Sequence, residues 1–286
     1  MIHYELVIHC PQFDEAARAE LLAQLDVGGN RVLIADSGPR IALSARSDDS
    51  ALIDQVRAAG ADAALLPAGA RLQQFGLIVM DMDSTMITIE CIDELAHHAG
   101  VKPQVAAITE RSMRGEIDFS ASLKERVGLL AGLPEHSLQR VFDDRLAFSP
   151  GAQALIDAAR ARGVHTLLVS GGFTWFTERV REQLGIDEAY GNELELTNGS
   201  LTGRLLGSVL DGAAKAAHLR ACAERLGLAR EQVMAIGDGA NDLAMMAAAG
   251  TSVAYHAKPK VRAAAALSIE AGGLDTLLSW FPPRPQ

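Results

Sequence analysis

Cysteine is scarce: Cys10, Cys91 and Cys222 are the only three in 286 residues. An odd number at such wide separations excludes a disulfide framework and the paired spacings of a structural zinc site, so they read as reduced thiols. Aromatics make up only 5% of the chain, and the group Phe173, Trp175 and Phe176 reads as helix-to-sheet packing rather than a platform for stacking bases. Basic residues are outnumbered, 26 Lys and Arg against 36 Asp and Glu, a formal charge of -10. Such a surface has no general attraction for nucleic acid or anionic lipid, which removes both as partners and leaves any anionic substrate to be held by local groups. Long apolar runs are missing as well, none approaching the roughly 18 residues of a membrane span. The opening MIHYELVIHC carries Glu5 inside its apolar run and no basic segment, which predicts a cytoplasmic protein without a secretory leader. What remains is 49% hydrophobic and 22% charged, enough apolar mass to bury a sizeable core.

The pattern divides in two. Short β-favouring runs at 2–9, 30–36, 39–45 and 62–67 are separated by helical patterns at 14–25 and 49–59, the first with Leu21, Leu22 and Leu25 on one stripe and Gly28-Gly29 just beyond. The order βαββαβ predicts a small ferredoxin-like α+β domain over residues 1–70, closed by the Gly/Pro-punctuated stretch Pro67–Ala70. From residue 75 to 286 the reading is α/β. Apolar strands at 77–80, 164–169 and 233–236 alternate with helical segments such as 151–162, 173–184 and 213–227, the mark of a parallel sheet covered by helices on both faces. Residues 88–148 interrupt that alternation with strand-poor, helical sequence and predict a cap over the strand ends, while 190–209 alternates about Asn198-Gly199 as a hairpin does.

Each of the three strands ends in a polar cluster: Asp81-Met82-Asp83-Ser84-Thr85, Ser170-Gly171-Gly172, and Gly237-Asp238-Gly239-Ala240-Asn241-Asp242. Ligands of parallel sheets bind beyond these carboxyl ends. Phosphoryl transfer needs an in-line nucleophile, a cation and N–H donors about the phosphoryl oxygens. Two aspartates at i and i+2 past a strand end project to one side, so Asp81 can attack while Asp83 serves as acid and base. Asp81, Asp83 and Asp238 cannot all ionise in a closed pocket without a cation, and all-oxygen ligands point to Mg2+. Ser170 and the small Gly171 let backbone N–H groups approach a phosphate, and Lys215 adds a fixed positive charge. A selective pocket for a zwitterionic phosphomonoester also wants a carboxylate and a guanidinium, which Glu90 and Arg126 supply. Adjacent His97 and His98 point to different sides of a helix and read as solvated rather than metal ligands.

Asp81-x-Asp83-x-Thr85, strand-terminal Ser170, a lone Lys215 and Gly237-Asp238-Gly239-x-Asn241-Asp242, in that order, resemble the four motifs of the haloacid-dehalogenase-like phosphohydrolases. The stretches DMDSTMITIECIDELA, RGEIDFSASLKERVGLLAGL and LVSGGFTWFTERV are similar to the phosphoserine phosphatase branch, over roughly residues 75–280. The first 70 residues resemble ACT-type domains more loosely. The resemblance implies a Rossmann-like core with a helical cap, and Mg2+-dependent hydrolysis of phosphoserine, the last step of serine biosynthesis, through a phospho-aspartate. Carried over by position, Asp81 is the nucleophile and Asp83 the general acid/base. The Asp81 carboxylate, the Asp83 main-chain carbonyl and Asp238 bind the metal. Ser170, Gly171, Lys215 and Asn241 hold the phosphoryl group, and Asp242 organises the metal shell or Lys215. Glu90 takes the substrate ammonium and Arg126 its carboxylate, with Met113 and Phe119 closing the pocket, although either could equally be cap core. The N-terminal domain would serve a homodimer interface or effector sensing. Two alternatives compete: action on another small phosphomonoester within the same superfamily, and an inert core serving an amino-acid sensor. The intact Asp81, Asp83, Lys215 and Asp238 speak against the second.

Overall fold

A computed structural model describes residues 3–25, 33–46 and 49–282. The chain opens with β1 (Tyr4–His9), α1 (Glu15–Gln24), β2 (Leu33–Ser37), β3 (Arg40–Ala45), α2 (Ala51–Ala58) and β4 (Asp62–Pro67). These form an antiparallel sheet of order β2-β3-β1-β4, the pairing of a ferredoxin-like unit. Residues 26–32, which include Gly28-Gly29 and the start of the run expected at 30–36, lie outside the described residues. Strand alternation gives this sheet two faces. Leu6, Ile8, Ile41 and Leu43 pack with Leu21 and Val56 of the two helices. Val7, Ala42, Ala64 and Leu66 pack on Phe75, Trp280 and Phe281, inside the main core of the molecule.

The second sheet begins with β5 (Leu77–Met80). Four helices follow, α3 (Cys91–His98), α4 (Lys102–Met113), α5 (Phe119–Gly128) and α6 (His136–Arg145), and then α7 (Ala152–Arg160). The alternation resumes through β6 (His165–Phe173), α8 (Thr174–Leu184), β7 (Glu188–Thr197), β8 (Ser200–Leu206), α9 (Gly212–Arg225) and β9 (Val233–Gly237). It closes with α10 (Leu243–Ala248), β10 (Thr251–Tyr255), α11 (Pro259–Ala264), β11 (Leu267–Ile269) and α12 (Thr276–Trp280). The strand order is β11-β10-β9-β5-β6-β7-β8, parallel except that β8 returns antiparallel to β7. The fold is therefore α/β, with β5 at the centre. Its four residues are all buried, Ile78 and Met80 on one side of the sheet and Leu77 and Val79 on the other, which is why the run is apolar without alternation.

Local chemistry sets the boundaries. Asp14, Asp118 and Asp211 each accept from the backbone N–H three residues on, capping α1, α5 and α9. Asn198 and Gly199 both have positive φ, 51° and 73°, as a two-residue hairpin turn requires. An antiparallel bridge between Ile87 and Phe148 ties together the two ends of the segment carrying α3 to α6. The helices expected at 151–162, 173–184 and 213–227 are α7, α8 and α9, with no end displaced by more than two residues. β6 differs more: it continues past Val169 to Phe173, because a bulge interrupts its pairing with β7 after Val169 and the register resumes at Phe173 opposite Asn192. Among the described residues no helix is long and apolar enough to cross a membrane, and the three cysteines are buried free thiols.

Candidate active site

The carboxyl ends of β5, β6 and β9 meet at one edge of the sheet, below the segment carrying α3 to α6. There a pocket of about 700 Å³ is lined by Asp81, Asp83, Glu90, Met113, Phe119, Arg126, Ser170, Gly171, Asp238 and Asn241. Lys215 and Asp242 are fully buried beneath it. All twelve sequence-predicted site residues thus come to one place, ten on the pocket wall and two under its floor.

Asp81 is 4% exposed. Its Oδ1 accepts from the Met82 N–H at 2.7 Å and pairs with Lys215 Nζ at 2.7 Å, and its Oδ2 lies 3.4 Å from Asn241 Nδ2. Lys215 reaches up from the first turn of α9, whose N-cap Asp211 fixes where the helix starts. The same Nζ lies 2.7 Å from Asp242 Oδ1, while Asp242 Oδ2 accepts from the Gly239 N–H at 3.0 Å. Both Asp242 oxygens are therefore engaged, one by Lys215 and the other by the Gly239 backbone. Burial works to neutralise Lys215, but the Asp242 and Asp81 carboxylates more than offset it and hold the ammonium charged.

One lysine does not balance this cluster. Oxygens of Asp81, Asp238 and Asp242 lie within 4.8 Å of one another. Burial, followed by repulsion from Asp81 and Asp242, pushes the Asp238 carboxyl up to about 8, against a hydrogen bond from Thr85 Oγ1 at 3.2 Å. Burial and the neighbouring Glu90 and Asp81 likewise hold Asp83 well above the ordinary carboxylate range. Asp83 Oδ1 accepts from the Cys91 N–H at 3.2 Å, at the first turn of α3. A carboxyl raised in this way holds its proton more readily, which suits a general acid. The donor set, oxygen only and short of positive charge, fits a hard divalent cation.

Gly172 is required where it stands: a Cβ there would lie 2.6 Å from Asp83 Oδ2. Its N–H donates to Ser170 Oγ at 2.8 Å. Phe119, the first residue of α5, reaches down to Gly171, its Cζ 2.9 Å from where a Cβ on that glycine would stand. Met113 ends α4 and is 67% exposed, so it lines the rim rather than filling a helical core. Glu90 is exposed to the water of the pocket yet surrounded by protein. That burial raises its carboxyl above the usual range, against a 2.7 Å hydrogen bond from Ser84 Oγ. Arg126 is half-buried in the last turn of α5. Among the described residues it has no ion-pair partner, and its only hydrogen bond is a 3.4 Å contact to the Ser122 carbonyl. His97 and His98 are exposed, away from the pocket wall.

Sequence reasoning gave no role to Ser84, Thr85 or Asn192. Ser84 adopts φ 54°, a left-handed turn that aims its hydroxyl at Glu90. Its place inside Asp-x-Asp-x-Thr was the available signal. Asn192 carries no local signal, because its partners lie about 20 residues away on either side.

Known proteins place this geometry. The sequence model of the haloacid dehalogenase-like hydrolases matches residues 78–247. Phosphoserine phosphatase of Albidiferax ferrireducens is 52% identical over 218 residues, covering 74% of this chain and 92% of that protein. A crystal structure of a probable phosphoserine phosphatase from Vibrio cholerae, unliganded, superposes with a TM-score of 0.83 at 38% identity, over 96% of this chain and 85% of that one. A haloacid dehalogenase family hydrolase from Salmonella enterica serovar Typhi superposes with a TM-score of 0.86 at 30% identity, over 99% of this chain and all of the other, so the likeness takes in the N-terminal sheet. With its carboxylates, serine and lysine gathered at the strand ends and its sequence matched over more than half its length, the chain belongs to the haloacid dehalogenase-like hydrolases.

Proposed function

We propose that this chain is a magnesium-dependent phosphoserine phosphatase that hydrolyses O-phospho-L-serine through a phospho-aspartate on Asp81, completing serine biosynthesis. The observation that carries the substrate is the half-buried Arg126, which among the described residues is in no salt bridge, in the same pocket as Glu90 and Asp81. Asp93, Glu90 and Asp83 act on this guanidinium only at longer range, which leaves the planar fork of Arg free to take a carboxylate. Glu90 calls for a cation. The ammonium and carboxylate of phosphoserine answer both while its phosphate meets Asp81. The phosphoserine phosphatase activity of the relative that is 52% identical supports the same reading.

In the first half-reaction an Asp81 oxygen attacks phosphorus and the bond from phosphorus to the serine oxygen breaks, while Asp83 delivers its proton to that oxygen. In the second, Asp83 as a carboxylate takes a proton from water, the resulting hydroxide oxygen bonds to phosphorus, and the acyl-phosphate bond to Asp81 breaks. Ser170, the Gly171 backbone, Asn241 and Lys215 hold the phosphoryl oxygens. The Asp81 carboxylate, the Asp83 main-chain carbonyl and Asp238 would hold magnesium, which would supply the positive charge that this cluster lacks. Asp242 keeps Lys215 in place.

The test of the substrate is a ratio. Arg126→Ala is expected to lose roughly 2–4 kcal/mol of transition-state binding towards phosphoserine, about 30- to 900-fold in kcat/KM. p-Nitrophenyl phosphate has no carboxylate or ammonium, and its hydrolysis should change little. Equal losses on the two compounds would mean that Arg126 supports the cap or the phosphate clamp, and would remove the substrate assignment.

Metal binding should be linked to pH with a definite sign. Asp238 goes from an ordinary carboxyl near 3.8 in the unfolded chain to about 8 in the fold, so the metal-free native state holds a proton that the unfolded state does not. Stability without metal therefore falls as pH rises between those values. A cation displaces that proton, so the rise in Tm produced by magnesium over EDTA should be larger at pH 8 than at pH 5.5. A rise that is equal at both pH values, or larger at the lower one, would exclude Asp238 from the metal site.

A further inference from the structure

The bulge at the end of β6 creates a problem that one residue solves. Backbone pairing with β7 stops at Val169 opposite Tyr190 and resumes at Phe173 opposite Asn192, so Ser170, Gly171 and Gly172 leave the ladder at the point where they face the pocket. Asn192 is 3% exposed. Its Nδ2 donates to the Gly171 carbonyl at 2.8 Å and lies 3.4 Å from the Gly172 carbonyl. Its Oδ1 accepts from the Leu210 N–H at 2.7 Å, one residue before the N-cap of α9.

The peptide between Gly171 and Gly172 is thus held from both sides, its carbonyl by Asn192 and its N–H by Ser170 Oγ at 2.8 Å. Ser170 Oγ, accepting from Gly172, still has its own proton to donate. Through Leu210 the same amide fixes the chain entering α9, which carries Lys215. We infer that Asn192 is a positioning residue for phosphoryl transfer, a strut that sets the Ser170–Gly172 clamp and the start of the Lys215 helix relative to one another. It rests on the reading of this pocket as a phosphatase site, and the side chain lies behind the pocket wall rather than on it.

If that is its task, removing it should damage every phosphate ester alike, unlike Arg126. Asn192→Ala is expected to lower kcat 10- to 100-fold on both phosphoserine and p-nitrophenyl phosphate, and to weaken inhibition by inorganic phosphate by about tenfold. Asn192→Asp keeps the volume and the acceptor for Leu210. While neutral, the new carboxyl can still donate to Gly171, and once ionised it cannot. The activity of that variant relative to the wild type should therefore fall as pH rises from 5.5 to 8.5, which a merely structural role would not produce in protein shown by circular dichroism to be folded. Inorganic phosphate and p-nitrophenyl phosphate read the clamp without phosphoserine, so a wrong substrate would not disturb the result. Folded variants with a lower Tm but unchanged phosphate inhibition and a flat activity ratio across pH would overturn the proposal. If Asn192→Ala does not fold, the pH series on Asn192→Asp decides alone.

Discussion

Asp81→Asn should abolish turnover on phosphoserine and p-nitrophenyl phosphate alike, a loss on the order of 1,000-fold or more. The amide is nearly isosteric and its oxygen can still accept from Lys215 and the Met82 N–H, but it can neither attack phosphorus nor lend a charge to the metal. Stability should survive the change. Asp242 remains 2.7 Å from Lys215, so the buried ammonium keeps a partner. One of three mutually repelling carboxylates also disappears from the group that spans 4.8 Å. Without magnesium the Tm should hold or rise, and the increment added by magnesium should shrink. Beryllium fluoride, which imitates an acyl-phosphate, should inhibit the wild type and have no hold on the variant. Purified Asp81→Asn that turns over phosphoserine at near wild-type rate, with contaminating phosphatase excluded, would remove the nucleophile assignment.

Lys215→Met separates the two services of the buried ammonium. The methionine fits the space but leaves Asp81 and Asp242 in low dielectric with no cation. Losing one partner of such a group costs about 3–5 kcal/mol, a fall in Tm on the order of 10 °C. Activity should drop by a further, separate mechanism, about 100- to 1,000-fold, for want of a donor to the phosphoryl oxygens. Adding Asp242→Asn removes one of the stranded charges, so the double variant should recover much of the stability and none of the activity. Recovery of activity alongside stability would show that Lys215 is only a structural counter-ion. A single variant as stable as the wild type would contradict the ion-pair geometry itself.

Much of this site could be read from the sequence because strand ends write it locally. Four apolar residues that stop at Asp81-Met82-Asp83, or Val233–Ile236 stopping at Gly237-Asp238, mark both the strand and the edge where its ligand sits. The cap segment was legible for the opposite reason, as a long stretch without strands where the α/β rhythm required one. Tertiary facts were not legible. Nothing local to Asn192 foretells that it fills a bulge in β6, and nothing in the Ala-rich sequence beyond Asp242 marks β10, β11 or α10 to α12. Asp62 is a further case. The first residue of β4, it is fully buried and accepts from the backbone N–H groups of Glu270, Ala271 and Gly272, fastening the first sheet to the end of the second. Likewise the Val7, Ala42, Ala64 and Leu66 face is covered by Trp280 and Phe281 of the same chain. Pairings of that kind span some 200 residues, and no window of the sequence contains both partners.

The central claim is that this pocket hydrolyses phosphoserine with a divalent ion, and phosphate release from O-phospho-L-serine is its most direct test. The wild-type protein should liberate phosphate steadily in magnesium, stop when EDTA is present in excess, and resume when magnesium is restored. It should prefer phosphoserine to p-nitrophenyl phosphate in kcat/KM, because of the two only phosphoserine carries the ammonium and carboxylate proposed to meet Glu90 and Arg126. Undiminished release after exhaustive chelation would contradict the metal site. Hydrolysis of p-nitrophenyl phosphate without measurable release from phosphoserine would leave the nucleophile standing and contradict the substrate.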